Sequence, residues 1–265
     1  ILATPAQAIH SSIAALALEA GVSEPTVNRF CRSLETRGFP DFKLHLAQSL
    51  AHGTLYVNRN VDEDDSVESY TGKIFESAMA SLDQVHHSLD MSAVNRAVDL
   101  LTQAKKIAFF GLGSSAAVAH DAMNKFFRFN VPVIYSDDIV LQRMSCMNCD
   151  DDDVVVIISH TGRTKSLVEL AQLARENDAM VIALTSAGTP LAREATLAIT
   201  LDVPEDTDIY MPMVSRLAQL TVIDVLATGF TLRRGAKFRD NLKRVKEALK
   251  ESRFDKEPFV PSDNQ

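Results

Sequence analysis

The sequence predicts an all-α helix-turn-helix front followed by a doubly wound α/β domain built on a five-stranded parallel sheet. Three observations predict it. Residues 13–34, IAALALEAGVSEPTVNRFCRSL, hold two helical patterns joined by a glycine turn. From Lys105 onward, five short apolar, β-branched runs alternate with amphipathic stretches. Continuous apolar strands separated by helices mean a parallel sheet covered on both faces. Between the two zones, NRNVDEDDSVESY (58–70) gathers Asp62, Glu63, Asp64, Asp65 and Glu68 into an acidic break. The predicted organisation is a helix-turn-helix domain over 1–55, a linker with a connecting helix over 56–90, the α/β domain over 91–255 and a loose tail over 256–265.

In the front, Ala17 is small where two helices cross, and Gly21 takes the positive φ that a tight turn needs. Leu16, Val22, Val27 and Phe30 are the expected shared core. Ser23 is the expected cap of the second helix, and Pro25 is tolerated in its first turn. As a recognition helix, residues 24–36 would offer Glu24, Thr26, Asn28, Arg29 and Arg32 to a major groove, with the two arginines as the main base or phosphate contacts. RGFPDFKLHLAQSL (37–50) reads as a glycine stop at Gly38, then Pro40, an Asp41 cap and a further helix. Residues 1–55 carry four basic and four acidic side chains, so this front is not basic overall. The chain opens on Ile1 inside an apolar helical pattern, which predicts that the natural protein begins earlier and that this domain is truncated at its front.

Acids near a helix start suit its positive dipole end, so the acidic break leads into a helix from Ser66. The five expected strands are 105–111, 131–136, 153–159, 180–185 and 197–202, with helices over 114–129 and 164–177 among the intervening stretches. Residues 212–230 form a long helix, too apolar around its circumference for a surface element, which is expected to pack a homodimer interface as well as the sheet. Residues 233–256 hold ten basic and four acidic side chains and read as a solvated C-terminal helix.

In such a sheet, ligands bind beyond the carboxyl ends of the strands. Two loops there carry chemistry. The first strand ends in Gly111-Leu112-Gly113-Ser114-Ser115-Ala116. That run fits a dinucleotide fingerprint with Ala116 in third place, and Asp137 or Asp138 would then be the ribose acid. It also fits a tight turn opening a helix whose free amides attract an anion. The third strand ends in Ser159-His160-Thr161-Gly162-Arg163-Thr164-Lys165. Ser159, Thr161 and Thr164 supply hydroxyls around a glycine beside a helix start, the donor set one terminal phosphate accepts from. Arg163 and Lys165 add positive potential.

The pair G-x-G-S-S and S-H-T-G-R-T, about 45 residues apart after first and third strands, resembles the sugar isomerase (SIS) domain over about 91–235. The resemblance implies a phosphosugar site at Gly113, Ser114, Ser115, Ser159, His160, Thr161, Gly162, Thr164 and Lys165, with His160 offering its backbone amide rather than a catalytic imidazole. Residues 13–50 resemble the DNA-binding domain of the RpiR family of transcription regulators, which join such a domain to a SIS domain. The resemblance then covers nearly the whole chain and extends to regulators of hexose catabolism. It implies a repressor, a roughly palindromic operator, a homodimer or higher homo-oligomer and 2-keto-3-deoxy-6-phosphogluconate as effector, a sugar that no residue here selects by itself. Ser215 and Arg216 at the start of the long helix are within expected reach of its carboxylate, since the arginine fork suits carboxylates.

An isomerase on the same site would need a carboxylate or histidine poised near neutral pKa over the sugar. Glu169 and Glu194 belong to no such motif, and with a helix-turn-helix in front a non-catalytic sensor is expected. The net charge of −8 argues against nonspecific coating of nucleic acid or membrane. No run approaches a membrane span and no signal peptide opens the chain, so a cytoplasmic protein is expected. Three cysteines are too few for a disulfide framework, and Cys146 with Cys149 makes a lone C-x-x-C without a second metal-spaced pair. No metal and no cofactor is expected.

Overall fold

A computed structural model describes residues 8, 11–34, 36–51, 65–203, 205 and 213–248. The chain divides into two compact units, residues 1–80 and 81–265.

In the first unit, α1 (Ile13–Glu19), α2 (Glu24–Ser33) and α3 (Phe39–Ala51) follow one another, and α4 (Val67–Ser88) begins. Ser12 caps α1 by accepting the Ala15 amide at 3.1 Å. The helix ends as expected at Gly21, with φ +65°. The Gly21 amide bonds to the Leu18 carbonyl and the Val22 amide to the Ala17 carbonyl, at 3.2 and 2.9 Å, which satisfies two end carbonyls in a Schellman turn. Leu16, Ala17, Val27, Cys31 and Phe39 form the core, with Ile13 and Phe42 against it.

Four details differ from the sequence expectation. Val22 and Phe30 are 42% and 47% exposed, because Phe39 from the third helix fills the space between the first two. Helix α2 stops at Ser33, so Gly38 does not end it. Gly38 instead leaves room for Asn28, whose Oδ1 would stand 2.8 Å from a Cβ there. Asp41 does not precede α3 but sits in its first turn and reaches back to accept the Arg37 amide at 2.8 Å. Ser23 occupies the N-cap of α2, yet its hydroxyl pairs with the Thr26 hydroxyl at 2.9 Å rather than with a backbone amide. The acidic stretch through Asp64, the start at Ile1 and the chain from residue 249 onward lie outside the described residues.

In the second unit, α5 (Met91–Gln103) leads into β1 (Lys106–Phe110), and then α6 (Ser114–Phe126), β2 (Val133–Ser136), α7 (Ile139–Met147), β3 (Asp153–Ile158), α8 (Lys165–Glu176), β4 (Met180–Thr185), α9 (Pro190–Glu194), β5 (Leu197–Thr200), α10 (Val214–Arg233) and α11 (Gly235–Ala248) follow. The strands lie in the order β2-β1-β3-β4-β5, every pairing parallel. All six residues of β3 are buried, as a central strand covered on both faces requires. Alternation splits each strand between two layers. Ala108, Phe110, Val155, Ile157, Val181 and Ala183 pack on Cys146 of α7, Leu167 and Leu170 of α8 and Leu191 of α9. On the other face α10 packs on α5 and α6, and Phe109 meets Phe126 of α6 with ring centroids 5.1 Å apart. Each fully buried Leu, Ile or Phe contributes about 1.5–3 kcal/mol.

Candidate functional site

Register brings the two chemical loops together. Phe110 of β1 pairs with Ile157 of β3, so the segments that follow, Gly111–Ser115 and Ser159–Lys165, leave the sheet side by side. Gly113, with φ +56°, is the N-cap residue of α6, and Thr164 is the N-cap residue of α8. Neither helix start receives a side-chain cap. The neighbouring starts do: Asp138 accepts the Val140 and Leu141 amides of α7 at 2.8 and 2.9 Å, and Thr189 accepts the Ala192 amide of α9 at 3.3 Å. Among these four helix starts at the carboxyl edge of the sheet, the two without a side-chain cap are the two beside the loops.

Within the first loop Ser115 is buried, Ser114 half-buried and Gly113 exposed. Gln142 of α7 braces it from beneath, its buried amide donating to the Gly111 carbonyl at 3.2 Å and the Ser136 carbonyl at 2.7 Å. Its Oε1 is buried without a protein partner. Sequence reading missed this residue; a glutamine among the apolar positions of 139–147 was the available signal.

In the second loop Ser159 is 4% exposed and its Oγ accepts the Gly162 amide at 3.2 Å, which leaves the hydroxyl proton to donate outward. Gly162 has φ +56° and its carbonyl accepts the Leu191 amide at 3.1 Å. Thr161 Oγ1 accepts the Arg163 amide at 3.4 Å, while Thr164 and Lys165 are exposed at the mouth. The His160 carbonyl is held by the Ser186 amide and hydroxyl at 3.1 and 2.9 Å. Burial lowers the pKa of the half-buried His160 ring below the ordinary value, despite the Glu205 charge and a hydrogen bond to the Glu205 backbone.

Glu205 is a second residue that sequence reading missed. Its carboxylate accepts the Met213, Val214 and Ser215 amides at 2.6, 2.9 and 3.3 Å, and the Ser215 hydroxyl as well. Burial pushes its pKa up, but the hydroxyl and the three amides outweigh this and lower it. The expected pair Ser215 and Arg216 is therefore split. Ser215 is committed to Glu205, whereas Arg216 keeps a buried Nε without an acceptor and lines a 270 Å³ cavity with Ala117, Val118, Leu217 and Leu220.

Of the two acids that the dinucleotide alternative offers, Asp138 caps α7, which leaves Asp137, exposed after β2, as its ribose acid. Glu169 pairs with Arg143 at 3.4 Å on the outside of α8, and Glu194 with Arg175 at 3.7 Å. Burial pushes the Cys146 thiol up to about 12 and raises that of Cys149, so neither is a thiolate near neutral pH. Among the described residues no helix is long and apolar enough to cross a membrane.

On the helix-turn-helix, Arg29 and Arg32 are exposed on α2. Thr26 is half-buried and accepts from Arg29 Nη2 at 3.1 Å. Asn28 faces inward: its Oδ1 accepts the Phe39 amide at 3.1 Å, leaving only its amide N–H groups to donate elsewhere.

Two family models match the chain, a helix-turn-helix domain of the rpiR family over residues 1–53 and the SIS domain over residues 100–229. The chain is 90% identical over 265 residues to the HTH-type transcriptional regulator HexR of Escherichia coli, covering all of this chain and 92% of that one. It is 58% identical over 254 residues to HexR of Pseudomonas aeruginosa, covering 96% of this chain and 89% of that one. The structure of the Vibrio vulnificus NanR protein complexed with ManNAc-6P superposes with a TM-score of 0.64 at 25% identity, covering 96% of this chain and 90% of that one.

Proposed function

Because the chain belongs to the RpiR family and is a helix-turn-helix transcriptional regulator carrying a SIS domain, we infer that it represses genes of hexose catabolism until a phosphosugar, 2-keto-3-deoxy-6-phosphogluconate, fills the cleft between its two loops. One observation carries this reading. The starts of α6 and α8 lack side-chain caps and stand beside two hydroxyl-bearing loops on adjacent strands. Helix starts draw anions through unpaired amides and the dipole, and a phosphate accepts from amides and hydroxyls together. Gly113, Ser114, Ser115, Ser159, Thr161, Gly162 and Thr164 surround the phosphate, Lys165 adds charge at the mouth, and His160 orients the loop.

The relatives support the same reading. Two are regulators named HexR, and a third protein of similar fold is a complex with a phosphosugar. Acting in the cytoplasm as a homodimer or larger homo-oligomer, the regulator binds a roughly palindromic operator through Thr26, Arg29 and Arg32, with Asn28 as a lesser donor. The effector binds the two arrangements of the dimer unequally and so alters the spacing of its recognition helices.

A calorimetric titration with 2-keto-3-deoxy-6-phosphogluconate, other sugar phosphates and NAD tests this. Saturable binding of the keto-deoxy sugar phosphate, lost in the Ser115→Ala, Ser159→Ala double variant, is expected. Binding of NAD alone would overturn the reading.

A further inference from the structure

The last turns of α4 bring together three side chains that the effector site does not use. Asp83, His86 and His87 are all exposed, and their ligand atoms, one from each, lie within 4.8 Å of one another. The spacing explains how. Residues three and four apart are neighbours on a helix surface, so Asp83 meets both histidines once 67–88 is helical.

Two contacts gather the rings on one side. His87 Nδ1 stands 2.8 Å from the Asp83 carbonyl and 3.5 Å from Asp83 Oδ1, which holds that ring beside the carboxylate. The His86 ring meets the His87 ring edge-on, with centroids 5.3 Å apart. An ion pair between Asp83 and His87 accounts for two of the three groups and leaves the His86 imidazole over. The backbone beneath them is anchored. Val85 is buried, and Gln84 Nε2 donates to the Asp202 carbonyl at 3.1 Å. Ligands on a fixed helix keep their spacing better than ligands on a loop. Both histidines also stand in the last turn, where the helix dipole favours a cation.

The donor set selects the kind of cation. Imidazole nitrogens suit zinc, copper and nickel, whereas carboxylates and water suit magnesium and calcium. Two imidazoles and one carboxylate give zinc three protein ligands and leave a fourth position for water. Asp150, Asp151 and Asp152, another exposed group, supply oxygens alone and carry no such preference.

We propose that Asp83, His86 and His87 bind a divalent transition-metal cation, Zn2+, through one carboxylate oxygen and two imidazole nitrogens, with water in the fourth position. A cation shared between Asp83 and residues one turn later closes that turn, so the metal stabilises the end of α4 in its helical form. Neither the site nor its test depends on the effector.

The test uses the tag-free full chain, stripped of metal with a chelator. Diethyl pyrocarbonate labels imidazole nitrogens that are neither protonated nor coordinated, and mass spectrometry locates the label. Near neutral pH, saturating Zn2+ is expected to protect His86 and His87 and to leave the exposed His120, which stacks on Tyr135, open as the internal reference. Mg2+ at the same concentration is expected to protect neither. In calorimetry, Asp83→Asn and the His86→Gln, His87→Gln double variant should each weaken Zn2+ at this site at least about tenfold, the low end of the loss when even an outer partner of a zinc site is removed. All three side chains are exposed, and should a variant still fail to fold, the labelling of the wild-type chain decides alone. Zn2+ that leaves either histidine open at saturation, that protects the histidines equally well after Asp83→Asn, that binds the double variant as tightly as wild type, or that Mg2+ matches would overturn the site.

Discussion

A Cβ placed on Gly162 would overlap Thr189 Oγ1 and stand 2.5 Å from Thr185 Oγ1. The hydroxyl loop is therefore pressed against β4 and α9 with no space behind it. Gly113 has the same φ of +56° but nothing within 4 Å of a built Cβ. Gly113→Ala should cost backbone strain of about 1–2 kcal/mol. Gly162→Ala adds overpacking of about 1–3 kcal/mol and should also abolish phosphosugar binding. Urea unfolding of the two variants checks this, and equal stability would contradict the packing argument.

Ser115→Ala and Ser159→Ala each remove a hydroxyl donor to a charged group, worth about 1.5–3 kcal/mol, so each should weaken the sugar phosphate about 10- to 150-fold by calorimetry. The variants should differ in stability. Ser159→Ala also strips the Gly162 amide of its 3.2 Å acceptor and should lose about a further 1 kcal/mol in a thermal melt.

Arg29→Ala and Arg32→Ala should weaken operator binding by about 1–3 kcal/mol and leave sugar phosphate affinity unchanged, read by fluorescence anisotropy and calorimetry. Asn28→Ala should behave differently. It releases the Phe39 amide inside the domain, so its main effect is a loss of about 1 kcal/mol of stability in the first unit.

The half-buried His160 ring gives a pH signature. Its folded pKa lies below the ordinary value, so the unfolded chain takes up the proton first as pH falls. The contribution of His160 is fully present above about pH 6.5 and is lost progressively below it. Glu205, lowered as a carboxylate, contributes fully above its ordinary carboxylate range and weakens only below it, outside that window. His160→Gln should flatten the loss of stability between about pH 7.5 and 5.5, measured as urea midpoints; an unchanged slope would remove His160 as its source.

The sheet and both loops were legible because their causes are local. Runs such as Asp153–Ile158 carry their burial in their own composition, and Gly113 and Gly162 mark turns that side chains resist. The front was legible only in part. Val22 and Phe30 look like core residues until Phe39, contributed from beyond the turn, takes their place, and Asn28 looks like a groove contact until Gly38 opens space for it. Glu205 carried no local signal at all. Its partners lie 8 to 10 positions later, and no periodicity links such separations.

The pairing of Phe110 with Ile157 also sets when this site can exist. Half of it is translated well before the other half, and neither loop is a cleft until β1 and β3 close a long segment of chain between them. Such closure is entropically costly and slow compared with local helix formation. On the ribosome the helix-turn-helix emerges first, so a nascent chain folds its DNA-reading end before it can sense any metabolite, and a pause before β3 would leave it blind.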